Sequence, residues 1–119
     1  MDSKQHKYDV AYLRMAREWA ELSYCKRRQV GAIIVKDRMI ISDGYNGTQI
    51  LKVAKSTQNC GGATLYITLS PCKDCSKLVH QSGITRVVYH IEYKDTEGLE
   101  FLKKAGVELK HIPNLDSDE

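Results

Sequence analysis

From Ala63 to Ile112 the chain alternates between strand-like and helix-like segments, and no other feature restricts its architecture as tightly. Ala63 to Leu69 alternates in polarity as a half-buried strand does. Pro71 to about Gln81 reads as a helix, with Ser70 as N-cap, Pro71 as first helical residue and Gly83 just past the end. Arg86 to Ile91 reads as a strand, Thr96 to Ala105 as a helix stopped by Gly106, and Val107 to Ile112 as a last strand. Strands separated by single helices predict right-handed crossovers and parallel pairing. Ahead of this run, Gly31 to Val35, a turn at Lys36-Asp37-Arg38 and Met39 to Ser42 make a hairpin. The first helix spans Tyr8 to Leu22, with Tyr12, Met15, Trp19 and Leu22 on one face, widened by Val10, Leu13, Ala16 and Ala20. The expected fold is α/β, a mixed five-stranded sheet with helices on both faces.

Two connecting segments are less regular. Asp43 to Thr48 is rich in turn formers and reads as a loop. Gln49 to Thr57 offers apolar Ile50, Val53 and Ala54, about two helical turns, which is short for a helix that must stand alone. The acidic tail from Asn114 to Glu119 is expected to fray.

A length of 119 residues fits one domain, and 42% apolar with 28% charged residues is ordinary for a globular chain. There is no long apolar run to span a membrane, and Met1 to Lys7 lacks the apolar centre of a secretory signal, so a cytoplasmic location is expected. In that reducing setting Cys25, Cys60, Cys72 and Cys75 are not expected to form structural disulfides. The net charge of +3 suits an anionic small substrate without requiring one. Lys26-Arg27-Arg28 is the one dense basic cluster and reads as a solvated face, so nucleic-acid binding is not indicated.

The chemistry concentrates at Ser70-Pro71-Cys72-Lys73-Asp74-Cys75. With Ser70 as cap, Cys72 and Cys75 fall in the first turns of the helix, on one face, and both sulfurs point one way as two ligands of one metal must. The partial positive charge of a helix N-terminus suits thiolates. Zinc prefers four ligands, with thiolate sulfur at about 2.3 Å, so two cysteines cannot complete a site. A catalytic zinc needs a third protein ligand and keeps its fourth position for water. A metal-free buried pair and a redox dithiol remain open on this segment alone.

Thr64 to Leu78, with the Pro71-Cys72-x-x-Cys75 element, closely resembles the second zinc motif of the cytidine deaminase superfamily, and within it the deoxycytidylate (dCMP) deaminase family. Three further segments resemble that family: Tyr24 to Ala32, Ile41 to Thr48 with its Gly44-Tyr45-Asn46-Gly47 loop, and Ile84 to Tyr89. The resemblance covers roughly Tyr8 to Ile112. It implies a single deaminase domain over residues 1–119, folded as a cytidine deaminase-like three-layer sandwich. It further implies a Zn2+ cofactor and hydrolytic deamination of dCMP to dUMP in pyrimidine deoxynucleotide metabolism. The residues carried over are Cys72 and Cys75 as zinc ligands, Asn46 at the sugar or base, and Arg27 or Arg28 at the 5′-phosphate, a task that suits the bidentate guanidinium. It also implies homo-oligomers, with dCTP and dTTP as possible effectors. Tyr45 and Tyr66 read as packing residues that could also stack, Cys25 as a core residue and Cys60 as a small loop residue.

One element of that family is absent. Its members carry a His (or Cys) followed two residues later by Glu, on the helix before the zinc helix. The His completes the metal site, and the Glu moves protons between water, ring nitrogen and leaving amine. Of His6, His80, His90 and His111, only His90 precedes a Glu at that spacing, in His90-Ile91-Glu92, at the end of a strand on the wrong side of the zinc motif. That match reads as chance, His80 as a surface or packing residue, and His6 and His111 as solvated. The resemblance puts the missing segment between Gln49 and Ile50, which explains why the Gln49 to Thr57 helix is so short. Three accounts follow: the natural molecule carries residues that this sequence omits, a deletion removed them, or the chain kept the fold without the activity. Alternatives to dCMP deamination are a catalytically dead zinc-binding or nucleotide-sensing module, a structural oligomer subunit without zinc, and another superfamily deaminase acting on tRNA adenosine or in the riboflavin pathway.

Overall fold

Five strands form one sheet, and their alternating side chains sort into two cores. The computed structural model describes residues 3–22, 30–45 and 61–115. Within them the elements run α1 (Ser3–Glu21), β1 (Gly31–Lys36), β2 (Met39–Tyr45), β3 (Thr64–Leu69), α2 (Lys73–Gln81), β4 (Arg86–Ile91), α3 (Glu97–Lys104) and β5 (Glu108–His111). The strand order is β2-β1-β3-β4-β5. β1 pairs antiparallel with both β2 and β3, while β3–β4 and β4–β5 are parallel, as the strand–helix alternation predicts. One face carries Ile33, Val35, Tyr66 and Val88 against Leu13 and Ala16 of α1. The other carries Ile34, Leu65, Val87 and Tyr89 against Val79 of α2 and Leu99 and Leu102 of α3. No helix among the described residues is long and apolar enough to cross a membrane.

The buried stripe of α1 differs from the expected one. Met15 and Leu22 are 43% and 60% exposed, and the helix instead buries Leu13, Ala16 and Ala20, with Val10, Tyr12 and Trp19 at the margins. The small side chains let α1 settle onto the start of β1. A Cβ built on Gly31 would overlap the carbonyl oxygen of Ala16 and come within 2.6 Å of the backbone nitrogen of Ala20. Gly31→Ala is therefore expected to lower stability by about 1–3 kcal/mol, the usual range for forcing extra atoms into a packed interior, and a denaturant midpoint unchanged from wild type would contradict this contact.

α1 also begins at Ser3, five residues before the apolar pattern does. Its first turns are held by polar contacts. Asp9 is 0% exposed yet fully partnered. The Arg86 guanidinium donates to both its oxygens at 2.8 and 2.7 Å, Tyr66 Oη donates at 2.6 Å, Lys110 Nζ at 2.9 Å and Gln5 Nε2 at 2.9 Å. Burial opposes the charge on Asp9, but the hydrogen bonds from Arg86, Tyr66, Lys110 and Gln5 win and hold its carboxyl well below the usual carboxylate range. Burial and the carboxylate push the Tyr66 hydroxyl up, so it stays a donor. The same carboxylate raises Arg86, which also donates through Nε to Glu108 at 2.8 Å. His6, expected to be solvated, is half-buried, with Nδ1 3.1 Å from Lys110 Nζ.

Other departures are local. The hairpin turn is the two residues Asp37 and Arg38, both at positive φ (52° and 63°), while Lys36 stays in β1. Asp37 suits the first position of such a turn, but Arg38 stands where glycine is favoured. Contacts with α1 hold it: Tyr12 Oη donates to the Arg38 carbonyl at 3.1 Å, and the Arg38 guanidinium lies 4.4 Å from the Tyr8 ring centre. β2 continues to Tyr45 rather than stopping at Ser42, because β1 pairs with it through Ala32–Gly44 and Gly31–Tyr45. The start of the tail is anchored: Leu115 is 1% exposed and its carbonyl accepts from Arg14 Nε at 2.6 Å.

Candidate metal centre

β3 ends at Leu69, and the chain turns through Ser70 and Pro71 into α2. The expected cap is displaced by two residues. Cys72, with extended backbone (φ −70°, ψ 174°), is the N-cap, so Pro71 lies outside the helix and Cys75 is its third residue. Cys72 Sγ accepts from the Cys75 backbone N–H at 3.5 Å. The Cys72 sulfur is thus turned toward the N-terminal turn that carries Cys75. Cys72 is exposed and Cys75 half-buried, and neither is in a disulfide.

Ser70 is not the cap because its groups are engaged elsewhere. Its backbone N–H donates to the Ile91 carbonyl at 2.8 Å, which continues the β3–β4 ladder, and its Oγ accepts from the Tyr93 backbone N–H at 2.7 Å. With Ser70 held this way, the next residue with a side-chain acceptor, Cys72, takes the cap.

The donor set of this turn fits a soft divalent metal such as zinc in two positions. Two sulfurs three residues apart, at a helix end where the Cys75 N–H already points to the Cys72 sulfur, can share one ion, and the exposure of Cys72 leaves an entry path. A third protein donor is not beside them: among the described residues no group of three His, Cys, Asp or Glu side chains could hold a metal ion. His90 is not that donor. It shares the α1 side of β4 with Arg86 and Val88, and its Nδ1 is 2.9 Å from the Ile112 carbonyl. α2 packs on the opposite face. His80 is exposed and meets Phe101 edge-on at 6.0 Å, a packing role. His111 is exposed but stacks on Tyr89 at 4.9 Å. Tyr66 is a core residue. Cys25, Arg27, Arg28, Asn46 and Cys60, the Gln49 to Thr57 helix and the Gln49–Ile50 junction lie outside the described residues.

A mixed sheet whose third strand runs into a Cys-x-x-Cys helix turn is the frame in which a zinc-binding motif was expected. The chain belongs to the cytidine and deoxycytidylate deaminase family, whose zinc-binding region model matches residues 6–91. A deoxycytidylate deaminase of Enterobacteria phage T2 is 44% identical over 69 residues, which takes in 56% of this chain and 37% of that protein. One of Schizosaccharomyces pombe is 29% identical over 147 residues, taking in 92% of this chain and 46% of that one. The chain thus spans less than half the length of either relative. Among solved structures, the dCMP deaminase of cyanophage S-TIM5 in apo form superposes with a TM-score of 0.80 at 34% identity, covering 94% of this chain and 100% of that one. The same protein in complex with dCMP and dUMP gives a TM-score of 0.81. A tRNA-specific adenosine deaminase of Buchnera aphidicola is also 30% identical, over 92% of this chain and 78% of its own.

Proposed function

We propose that this domain serves zinc-dependent hydrolytic deamination of dCMP to dUMP and ammonia, as a cytoplasmic homo-oligomer. The observation that carries the reading is the Cys72-x-x-Cys75 turn at the end of β3, in a chain that superposes along 94% of its length on a dCMP deaminase. Cys72 and Cys75 are two of three protein ligands. Bound zinc would supply Lewis acidity toward a water molecule at neutral pH. The chain's own part is to hold that ion at the helix end, with Asn46 orienting the sugar or base and Arg27 or Arg28 pairing the 5′-phosphate.

The third ligand and the proton-carrying Glu belong to a His-x-Glu segment between Gln49 and Ile50. Relative length supports this: the S. pombe match extends over 147 residues, more than this whole chain of 119, so the relative carries residues that this sequence lacks. A second reading, a zinc-binding or nucleotide-sensing member without turnover, is favoured by the absence of any Glu in that role. The Gly44-Tyr45-Asn46-Gly47 loop and the modest charge speak against an RNA-directed deaminase.

An intact-mass measurement and a deamination assay test the reading together. A molecule of 13.5 kDa is expected to release no ammonia from dCMP, because general acid–base catalysis alone is worth about 10²–10⁴-fold and its carrier is missing. The chain with a His-x-Glu segment restored after Gln49 is expected to deaminate dCMP and to stop when zinc is chelated. Turnover that survives chelation would defeat the mechanism, and turnover of adenosine in tRNA instead of dCMP would defeat the substrate.

A further inference from the structure

The turn that carries Cys72 and Cys75 does not stand on its own helix alone. It is braced from beneath by the segment joining β4 to α3. Ser70 is bonded to Ile91 and Tyr93 at 2.8 and 2.7 Å, and two residues into α3 the helix reaches the turn itself at Gly98. A Cβ built on Gly98 would overlap the Pro71 carbonyl oxygen and come within 2.7 Å of Ser76 Oγ and 2.8 Å of the Cys72 carbonyl carbon. Real Cβ atoms do not approach other atoms so closely, and two of these three neighbours are backbone, which cannot swing aside as a long side chain can. Gly98 and Ser76 are both buried, and Ser76 Oγ has no hydrogen-bond partner among the described residues. The contact is therefore tight on both sides.

We propose that Gly98 is a positioning residue for the metal site: its missing side chain lets the first turn of α3 seat directly against Pro71, Cys72 and Ser76, and that seat sets where the Cys72 sulfur points. The inference rests on the reading of Cys72 and Cys75 as zinc ligands. Any side chain at position 98 must push either α3 outward or the Pro71–Cys72 backbone upward. The second displaces the buried Pro71 and, with it, moves the Cys72 sulfur relative to that of Cys75. Metal sites tolerate such errors poorly, and losing an outer support typically lowers metal affinity about 10–100-fold.

The experiment titrates the full chain with Cd2+, read by the ultraviolet band that thiolate sulfur gives with that ion and by competition with a chelator. Gly98→Ala is expected to weaken Cd2+ binding about 10–100-fold. Gly31→Ala is the control, because it forces an equally severe overlap at the far side of the sheet: it is expected to lower the melting temperature while leaving Cd2+ affinity within about twofold of wild type in the folded protein. Should Gly98→Ala fail to fold, Ser76→Thr decides, since its extra methyl wedges the same contact from α2 and is expected to weaken Cd2+ binding in the same direction. Unchanged affinity in the folded position-98 variant, or an equal loss in Gly31→Ala, overturns the proposal while the ligand assignment survives. Absence of a thiolate band in the wild-type chain overturns the ligand assignment and the proposal with it.

Discussion

Asp9→Ala is expected to destabilise the fold by about 3–5 kcal/mol, the range seen when one partner of a buried ion pair is removed. The reason lies in what remains. Asp9 is the anion at the centre of a group that includes Arg86, only 16% exposed, and Lys110. Without it two cations face each other beneath α1, and among the described residues Glu108, two-thirds exposed, is the carboxylate left to pair with Arg86. The buried Tyr66 hydroxyl loses its acceptor as well, and a buried donor left unpaired costs about 1–3 kcal/mol. Urea unfolding at pH 7 measures the effect, and a loss below about 1 kcal/mol would show that the cluster is solvated and relaxed in the native protein. The same carboxylate sets an acid limit. Its folded pKa is depressed, so its contribution is complete above the unfolded value of about 3.9 and disappears as pH falls through that value toward the folded one. Stability of the wild-type chain should therefore fall on acidification below about pH 5, and Asp9→Asn should lack that part of the fall.

The second large effect is expected at the cysteines. Cys72→Ser and Cys75→Ser should each lower Cd2+ or Zn2+ affinity by more than about 100-fold, beyond the effect of outer-shell changes, because a hydroxyl is a poor substitute for a thiolate on a soft ion. The two variants should part company in stability. Cys72 is the exposed N-cap of α2, where a serine hydroxyl is a better acceptor than sulfur, so Cys72→Ser should leave the fold as stable as wild type or slightly more so. Cys75 is half-buried and should gain nothing from the exchange. Isothermal titration with the metal and thermal unfolding without it separate the two effects. Metal binding retained by Cys72→Ser would mean that the ion, if it binds, is held elsewhere.

Much of the architecture was legible because it depends on short-range pattern. The β-branched runs at Gly31–Val35 and Arg86–Ile91, and the glycines after α2 and α3, specify elements whatever surrounds them. Errors fell where a partner distant in sequence decided the matter. Asp9 is an unremarked polar residue in the linear pattern, and it is buried because Arg86 and Lys110 arrive beneath it from strands some 77 and 101 residues away. Met15 and Leu22 look like core by periodicity, but the close approach of α1 to Gly31 rotates the alanine side inward. Ser70 looks like a cap by identity, and Tyr93 takes its hydroxyl instead.

For the Cys72–Cys75 turn, the sequence by itself determined the family and the spacing of the two sulfurs, because such spacing is local and two cysteines three apart at a helix start stand close together in any fold that keeps the helix. It also determined that the His-x-Glu partner is not in this chain. Only the tertiary structure decided that Cys72 is the cap, that the turn rests on Gly98 and Tyr93, and that His90 faces away. Each of these depends on which strands lie side by side, and that is set by packing over the whole sheet rather than by any one segment.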